Sequence, residues 1–398
     1  MTRLVVKHWD SLSELRRRAA AWDALWLRSD VTLPTAQARL IATWCESFAD
    51  GRPFRATVVE EDGQLVAALP LVDQSRMAIR VATLPGDHWS SAGDFLLDPQ
   101  TDRERVCAAL LRDLRHHGRR WLWFDAVPVE TARWQSLLTA LDQRQVPYAR
   151  RGRFVVNRTR IGSCWEEYLA GRSYNHRRQI RRAAARALKQ GALELTCHEC
   201  LTPERVEELL TLCFAIEASG WKGRAASAVC DTPAAMAFYL EQGRQLAARG
   251  QLRVTLLRLE DQPIAFEYGW EAKGVYCSAK VGYDERFAEL SPGQLLRALL
   301  MEQFHDDSNV RWFDFFGPAS PATSKWATEQ YPVDRVVVSL RGGLDRALLA
   351  AYRHGWPLVR AMREAGAKMT GRQPPREPQP GLPEGAADTP LPSAPAGV

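Results

Sequence analysis

The sequence has no apolar run approaching the roughly 20 residues of a membrane-spanning helix. Its opening stretch, Met1 to Asp10, lacks the long apolar core of a secretion signal. Both absences predict a soluble, cytoplasmic chain without a transmembrane segment. Cysteine is sparse, with eight in 398 residues. That is too few for a disulfide framework, and free buried thiols in a reducing compartment are the simpler account. No nucleophile motif of the Gly-x-Ser-x-Gly type is present, which argues against a hydrolase. Cys197-His198-Glu199-Cys200 has no second Cys pair at a suitable spacing, so no metal site is expected. The charge excess is small: 53 Lys and Arg against 47 Asp and Glu leave +6. Such a balance admits an anionic ligand without demanding nucleic acid.

What is present is ordinary for a globular chain of two or three domains, with 46% apolar and 25% charged residues. Helical spacing of apolar residues predicts helices over Ser11–Arg28, Thr35–Phe48 and Asp102–His116. Two strands, Arg55–Glu60 and Leu65–Val72, meet at the turn Glu61-Asp62-Gly63. The second half repeats the plan. Helices are predicted over Pro203–Ser219 and Pro233–Arg249, then strands Leu252–Leu259 and Pro263–Trp270 around Glu260-Asp261-Gln262. A strand over Gly274–Val281, a helix over Gln294–Phe304 and an aromatic strand over Arg311–Phe316 follow. Trp123-Phe124-Asp125 closes the strand after the first half's helix, and Trp312-Phe313-Asp314 closes the matching strand in the second. Order and tripeptide together read as two copies of one α/β unit.

Only the second copy places Ser291-Pro292-Gly293 ahead of its helix. Ser can cap, Pro suits the first helical position, and Gly admits a close ligand, so the helix start can hold an anion such as a pyrophosphate. Leu344–Met369 reads as a helix kinked at Pro357. Gly371–Val398 carries eight prolines with no apolar period and reads as disordered.

Hairpin, strand, phosphate loop, helix and strand is the order of the GNAT N-acetyltransferase core, which this chain resembles. Tandem units of this kind also occur in peptidoglycan aminoacyltransferases of the FemAB type. Closer still is the CelD/BcsL-like group of acetyltransferases of cellulose biosynthesis. The likeness rests on Glu217-Ala218-Ser219-Gly220-Trp221-Lys222-Gly223, Tyr283-Asp284-Glu285, Ser291-Pro292-Gly293, Phe313-Asp314-Phe315-Phe316-Gly317 and the arginine-rich helix Arg172–Gln190. It spans residues 10–345. It implies an α/β (α+β) fold of two tandem GNAT-like units, each a mixed, mainly antiparallel sheet flanked by helices. Residues 1–160 would form a non-catalytic unit and 161–345 the acyltransferase, with a helical extension over 346–370 and a tail over 371–398. The usual GNAT phosphate signature carries more glycine; here Gly293 stands alone and Pro292 removes one donor.

The resemblance implies direct attack by a substrate amine or hydroxyl on an acyl-CoA thioester, acetyl-CoA first, with no metal. Val281, Ser291, Gly293, Gln294 and Leu295 would line the acyl-CoA site. The chemistry needs a base, and Glu217, at a helix end before Gly220, is the first candidate against a plain surface glutamate. Asp284 either binds substrate, acts as base or is a turn aspartate; Tyr283 stands beside it. Glu267 faces either the cleft or solvent, which alternation alone does not decide. Trp221, Lys222, Lys280 and Lys325 are candidate contacts for the acceptor or the acyl donor. Arg177, Arg178, Arg181, Arg182 and Arg186 form either a solvated helix face or a clamp for nucleotide phosphate, an anionic glycan or tRNA. The expected function is acyl-CoA-dependent N- or O-acyl transfer to a small or saccharide-linked acceptor, within polysaccharide or cell-envelope biosynthesis. The alternatives are a FemAB-like aminoacyl-tRNA-dependent transferase and a non-catalytic partner in polysaccharide export.

Overall fold

The fold is described from a computed structural model covering residues 3–76, 79–162, 164–199, 201–306, 309–353 and 355, without the side chains of 221 and 222. The first unit runs β1 (Leu4–Trp9), α1 (Leu12–Arg17), α2 (Ala19–Arg28), α3 (Ala38–Phe48), β2 (Phe54–Glu61), β3 (Gln64–Arg76), β4 (Ile79–Thr83), β5 (Leu96–Leu97), α4 (Arg103–His117), β6 (Trp121–Val127), α5 (Ala132–Gln143) and β7 (Tyr148–Arg160). Two helices, α6 (Trp165–Ala170) and α7 (Tyr174–Leu188), lead into the second unit. That unit runs β8 (Leu193–His198), α8 (Pro203–Ala218), α9 (Trp221–Arg224), α10 (Pro233–Ala247), β9 (Leu252–Leu259), β10 (Gln262–Ala272), β11 (Val275–Tyr283), α11 (Pro292–Asp306), β12 (Trp312–Pro318), α12 (Pro321–Ser324) and β13 (Glu329–Ser339). The predicted C-terminal helix is seen over residues 344–353. Its kink at Pro357 and the proline-rich tail lie outside the described residues.

Local signals set the element ends. Asp102 caps α4 by accepting from the Arg105 N–H, Ser173 caps α7 through His176, and Thr202 caps α8 ahead of Pro203. Both hairpin turns hold a non-glycine residue in the left-handed region, Asp62 in the first unit and Glu260 in the second.

All the strands join one sheet, and its order is palindromic: β1-β2-β3-β4-β6-β13-β7-β12-β11-β10-β9-β8, with β5 paired to β3. Each unit repeats the same run outward from the centre, and its single parallel contact is β4 with β6 or β11 with β12. At the centre the units exchange their last strands. β13 lies between β6 and β7, and β7 lies between β13 and β12. A boundary between residues 160 and 161 therefore cuts no strand, but each unit's sheet is completed by the other's final strand.

The helices divide between the two faces. One large core joins Trp22, Ile41 and Trp44 of the first unit to Leu209, Phe214 and Phe238 of the second, so the units share buried apolar area. The opposite faces are covered separately, by α4 and α5 in the first unit and by α6, α7 and α11 in the second.

Candidate active site

β11 and β12 pair only over Val275–Cys277 and Trp312–Asp314, then part. β11 continues to Tyr283 with β10 on one side, so among the described residues its other edge, from Ser278 on, has no strand partner. Open backbone N–H and C=O groups on such an edge can take an extended, amide-bearing chain. At the end of this edge the chain forms a short 3-10 turn and enters α11. Ser291, in the left-handed region, accepts from the Gln294 and Leu295 amides. The Tyr283 ring lies 3.8 Å from where a Cβ on Gly293 would stand, so nothing in the protein itself requires glycine there. The space that a side chain would fill is left open at the positive end of a helix, which suits a phosphate. Of the five residues expected at the acyl-CoA site, Val281 is on the open edge of β11, Ser291, Gly293 and Gln294 are at the start of α11, and Leu295 is buried in the core. Gln294 accepts from the Trp326 indole at 3.1 Å, which ties α11 to the segment before β13.

Where β11 and β12 part, a cavity of about 1810 Å³ opens between the two units. Its walls come from both: the loop Pro85–Ser91, Trp123, Asp125 and Arg153 from the first, and Ser278–Val281, Asp314 and Tyr331 from the second. It exceeds the few hundred to ~1,000 Å³ of an ordinary small-ligand pocket.

Asp314 stands at the fork, the last residue of β12 paired with β11. Its carboxylate accepts from the Tyr331 hydroxyl at 2.8 Å and from the Phe316 N–H at 2.7 Å. Phe316 is held in the left-handed region, a strained state for an aromatic residue and one that the bend in β12 imposes. Burial pushes the Asp314 carboxyl up to about 6, against the opposing pull of the Phe316 N–H, Tyr331 and Arg158. Although packed deep in protein, the residue still touches the cavity. A carboxylate that titrates near neutrality and reaches a cavity can move a proton in a reaction.

The sequence-predicted residues divide into three groups. Lys280 lies in the cavity wall, with its ammonium over the rings of Tyr239 and Trp89 at 4.8 and 5.5 Å. Trp89 belongs to the first unit, so this contact bridges the two. Tyr283 stands at the end of the open edge, beside Gly293.

Other residues are committed elsewhere. Glu217 is buried on α8, and its carboxylate accepts from the Val229 N–H at 3.0 Å, tying down the segment before α10. Asp284 accepts from the Arg286 N–H and pairs with its guanidinium at 2.6 Å, and that hydrogen bond holds its carboxyl below the usual range. Its geometry is that of a turn aspartate. Glu267, left between cleft and solvent by alternation, faces neither: fully buried, it pairs with Arg297 at 3.1 Å and accepts from Tyr276. The buried environment demands that pairing.

Lys325 is exposed near Gln179 of α7, and Trp221 and Lys222 lie on α9 with side chains outside the description. In the Cys197–Cys200 stretch, Cys197 donates to Gln303 and Glu199 pairs with Arg253, while Cys200 is outside the described residues.

Asp314 and Tyr331 received no role from the sequence. A lone carboxylate inside the aromatic run Trp312–Phe316 was the signal available for the first; Tyr331, 17 residues on, carried none.

Residues 174–331 match the family model described as an acetyltransferase (GNAT) domain, so the chain carries a GNAT-type acetyltransferase domain in its second unit. No curated protein matches. Among solved structures, FemX is 12% identical and covers 83% of this chain and 96% of its own, with a TM-score of 0.54. A conserved protein of unknown function from Bacteroides thetaiotaomicron VPI-5482 is 12% identical, covering 84% and 100%, with a TM-score of 0.53. At such identities the likeness is one of fold.

Proposed function

We propose that the chain is an acyltransferase that passes an acyl group from acyl-CoA, acetyl-CoA in the first instance, directly to an amine or hydroxyl acceptor in the cavity between the units. The observation that carries this reading is Asp314, a cavity carboxylate titrating near 6 at the fork where the strands of a GNAT-type domain part. The pantetheine arm lies along the open edge of β11, and the pyrophosphate sits at the start of α11 beside Gly293. Asp314 takes the proton of the acceptor while its nitrogen or oxygen forms the new bond to the thioester carbonyl carbon. N–H groups of the open edge steady the carbonyl oxygen as charge develops. The carbon–sulfur bond then breaks, and CoA leaves as a thiolate that gains a proton. Tyr331 holds Asp314 in place. Lys280, bridging the units, closes one wall on the acceptor, and Glu217 anchors the segment before α10, whose Tyr239 ring lies under Lys280.

The CelD/BcsL resemblance makes a saccharide-linked acceptor of cell-envelope synthesis the class to screen first, in the cytoplasm. No helix among the described residues is long and apolar enough to cross a membrane. The test is direct: acetyl-CoA should raise the melting temperature, and no shift at millimolar CoA would count against the reading.

A second reading has its own observation. Tyr174, Arg177, Arg178, Arg181 and Arg182 form one face of α7, and none of these arginines has a carboxylate partner among the described residues. Such a face suits an aminoacyl-tRNA donor in place of CoA. It calls for tRNA binding that weakens steeply with salt.

A further inference from the structure

The first unit has its own version of the fork, and its chemistry is different. Asp125 lies on β6 as Asp314 lies on β12, but it is gripped by arginines. Arg335 donates to it through two nitrogens at 3.0 and 3.1 Å, and Arg153 pairs with it at 3.1 Å. A third guanidinium, Arg76, acts on the same carboxylate through space. Three guanidiniums thus face one carboxylate in the cavity wall.

Arg76 makes no ion pair among the described residues and lines the cavity. Burial and the neighbouring Arg335 and Arg153 lower its pKa, which marks a cation pressed against like charge. A second observation points the same way. Trp123, 92% buried at this end of the cavity, lies under the Arg335 guanidinium at 4.9 Å, and its indole N–H has no acceptor. A buried donor without an acceptor and a cation without an ion pair share one remedy, an oxyanion.

We infer that this end of the cavity binds an anionic group of the acceptor, a phosphate or a carboxylate, through Arg76, Arg153, Arg335 and the Trp123 indole. The inference rests on the acyltransferase reading for what happens at the other end and adds a length. Tyr331, which holds Asp314, and Arg335 are four residues apart on β13, and both line the cavity. At ~3.3 Å per residue their backbones lie at most about 13 Å apart, and a bulge between Val333 and Asp334 shortens the span. The acceptor is thus an extended molecule, with its nucleophile and its anion at opposite ends of this stretch of β13.

The test is calorimetric titration of the full chain with inorganic pyrophosphate and, as the carboxylate arm, with succinate, alongside a CoA titration. Arg76→Gln removes a cation that makes no ion pair among the described residues, and Trp123→Phe keeps the ring while deleting the N–H. Pyrophosphate or succinate binding that weakens about tenfold in Arg76→Gln, and less in Trp123→Phe, with CoA binding unchanged, supports the anion site; the stronger arm names the anion. Should CoA fail to bind while that pattern holds, the acyl-CoA reading falls and the anion site stands. Binding indifferent to both variants, or none at millimolar probe, overturns the inference.

Discussion

Asp125 and Asp314 hold matching places in the two halves of a palindromic sheet, yet their surroundings drive them apart. Asp125 is ringed by Arg335, Arg153 and Arg76, and these outweigh the cost of burial and hold its carboxyl below the usual range. Asp314 has a tyrosine and a backbone N–H for partners, and burial wins, raising it to about 6. One carboxylate is thereby fixed as an anion that organises cations, and the other is poised to exchange a proton. The lesson is that a duplicated backbone position carries no chemistry by itself; the charges placed within a few ångströms of it decide the role.

The largest effect should separate the two aspartates. Asp314→Asn should lower the rate of CoA release from acetyl-CoA by about 10²- to 10⁴-fold at saturating acceptor, with acetyl-CoA affinity kept. Asp125→Asn should act mainly on acceptor affinity; equal losses of turnover in both variants would erase the distinction. Next in size is a contrast within the second unit between a carboxylate used for chemistry and one used for the fold. Glu267→Ala strands the buried Arg297 and should cost about 3–5 kcal/mol in urea unfolding. A loss under about 1 kcal/mol would mean the pair is dispensable.

The pH dependence of stability sharpens the comparison further, because the two signs oppose. Asp314 holds its proton more tightly folded than unfolded. It favours folding most below the ordinary aspartate value of about 4, and that advantage fades as pH rises to about 6. Asp125 is shifted the other way. Its contribution is present above the ordinary value and is lost as pH falls through the folded one. Melting curves across pH should therefore flatten between about 4 and 6 in Asp314→Asn, and lose part of their acid-side fall in Asp125→Asn. The smallest effect concerns a feature that the second unit alone possesses. Gly293→Ala should leave stability unchanged or raise it by up to about 1 kcal/mol, the helix preference of alanine over glycine. CoA affinity should fall severalfold as the methyl enters the phosphate space, and unchanged affinity would remove Gly293 from the site.

Much of the frame was legible because it rests on local chemistry. The hairpin turns at Asp62 and Glu260 and the tripeptides ending at Asp125 and Asp314 are short-range signals, and the repeated unit follows from their order. The exchange of β7 and β13 was not legible, since the pairing of Tyr331 with Val156 is fixed by tertiary packing across 175 residues of chain. β1 was missed for a similar reason: Leu4–Trp9 becomes a strand by pairing with β2, more than 40 residues away. Of the residues proposed for the site, Ser291, Gly293, Lys280 and Tyr283 could be named from motif and position. Glu267 could not be placed, because its partner Arg297 lies a helix away. Asp314 acquires its raised carboxyl from the depth of the fork, which no stretch of sequence encodes.

The division of labour between the two aspartates is tested most directly by a carbon-13 NMR titration of the carboxyl groups, with Asp314→Asn and Asp125→Asn to assign them. The expected result is an Asp314 midpoint near 6 and an Asp125 resonance that stays ionised over roughly pH 5 to 8. An Asp314 midpoint at the ordinary aspartate value, or the two carboxyls titrating together, would contradict it.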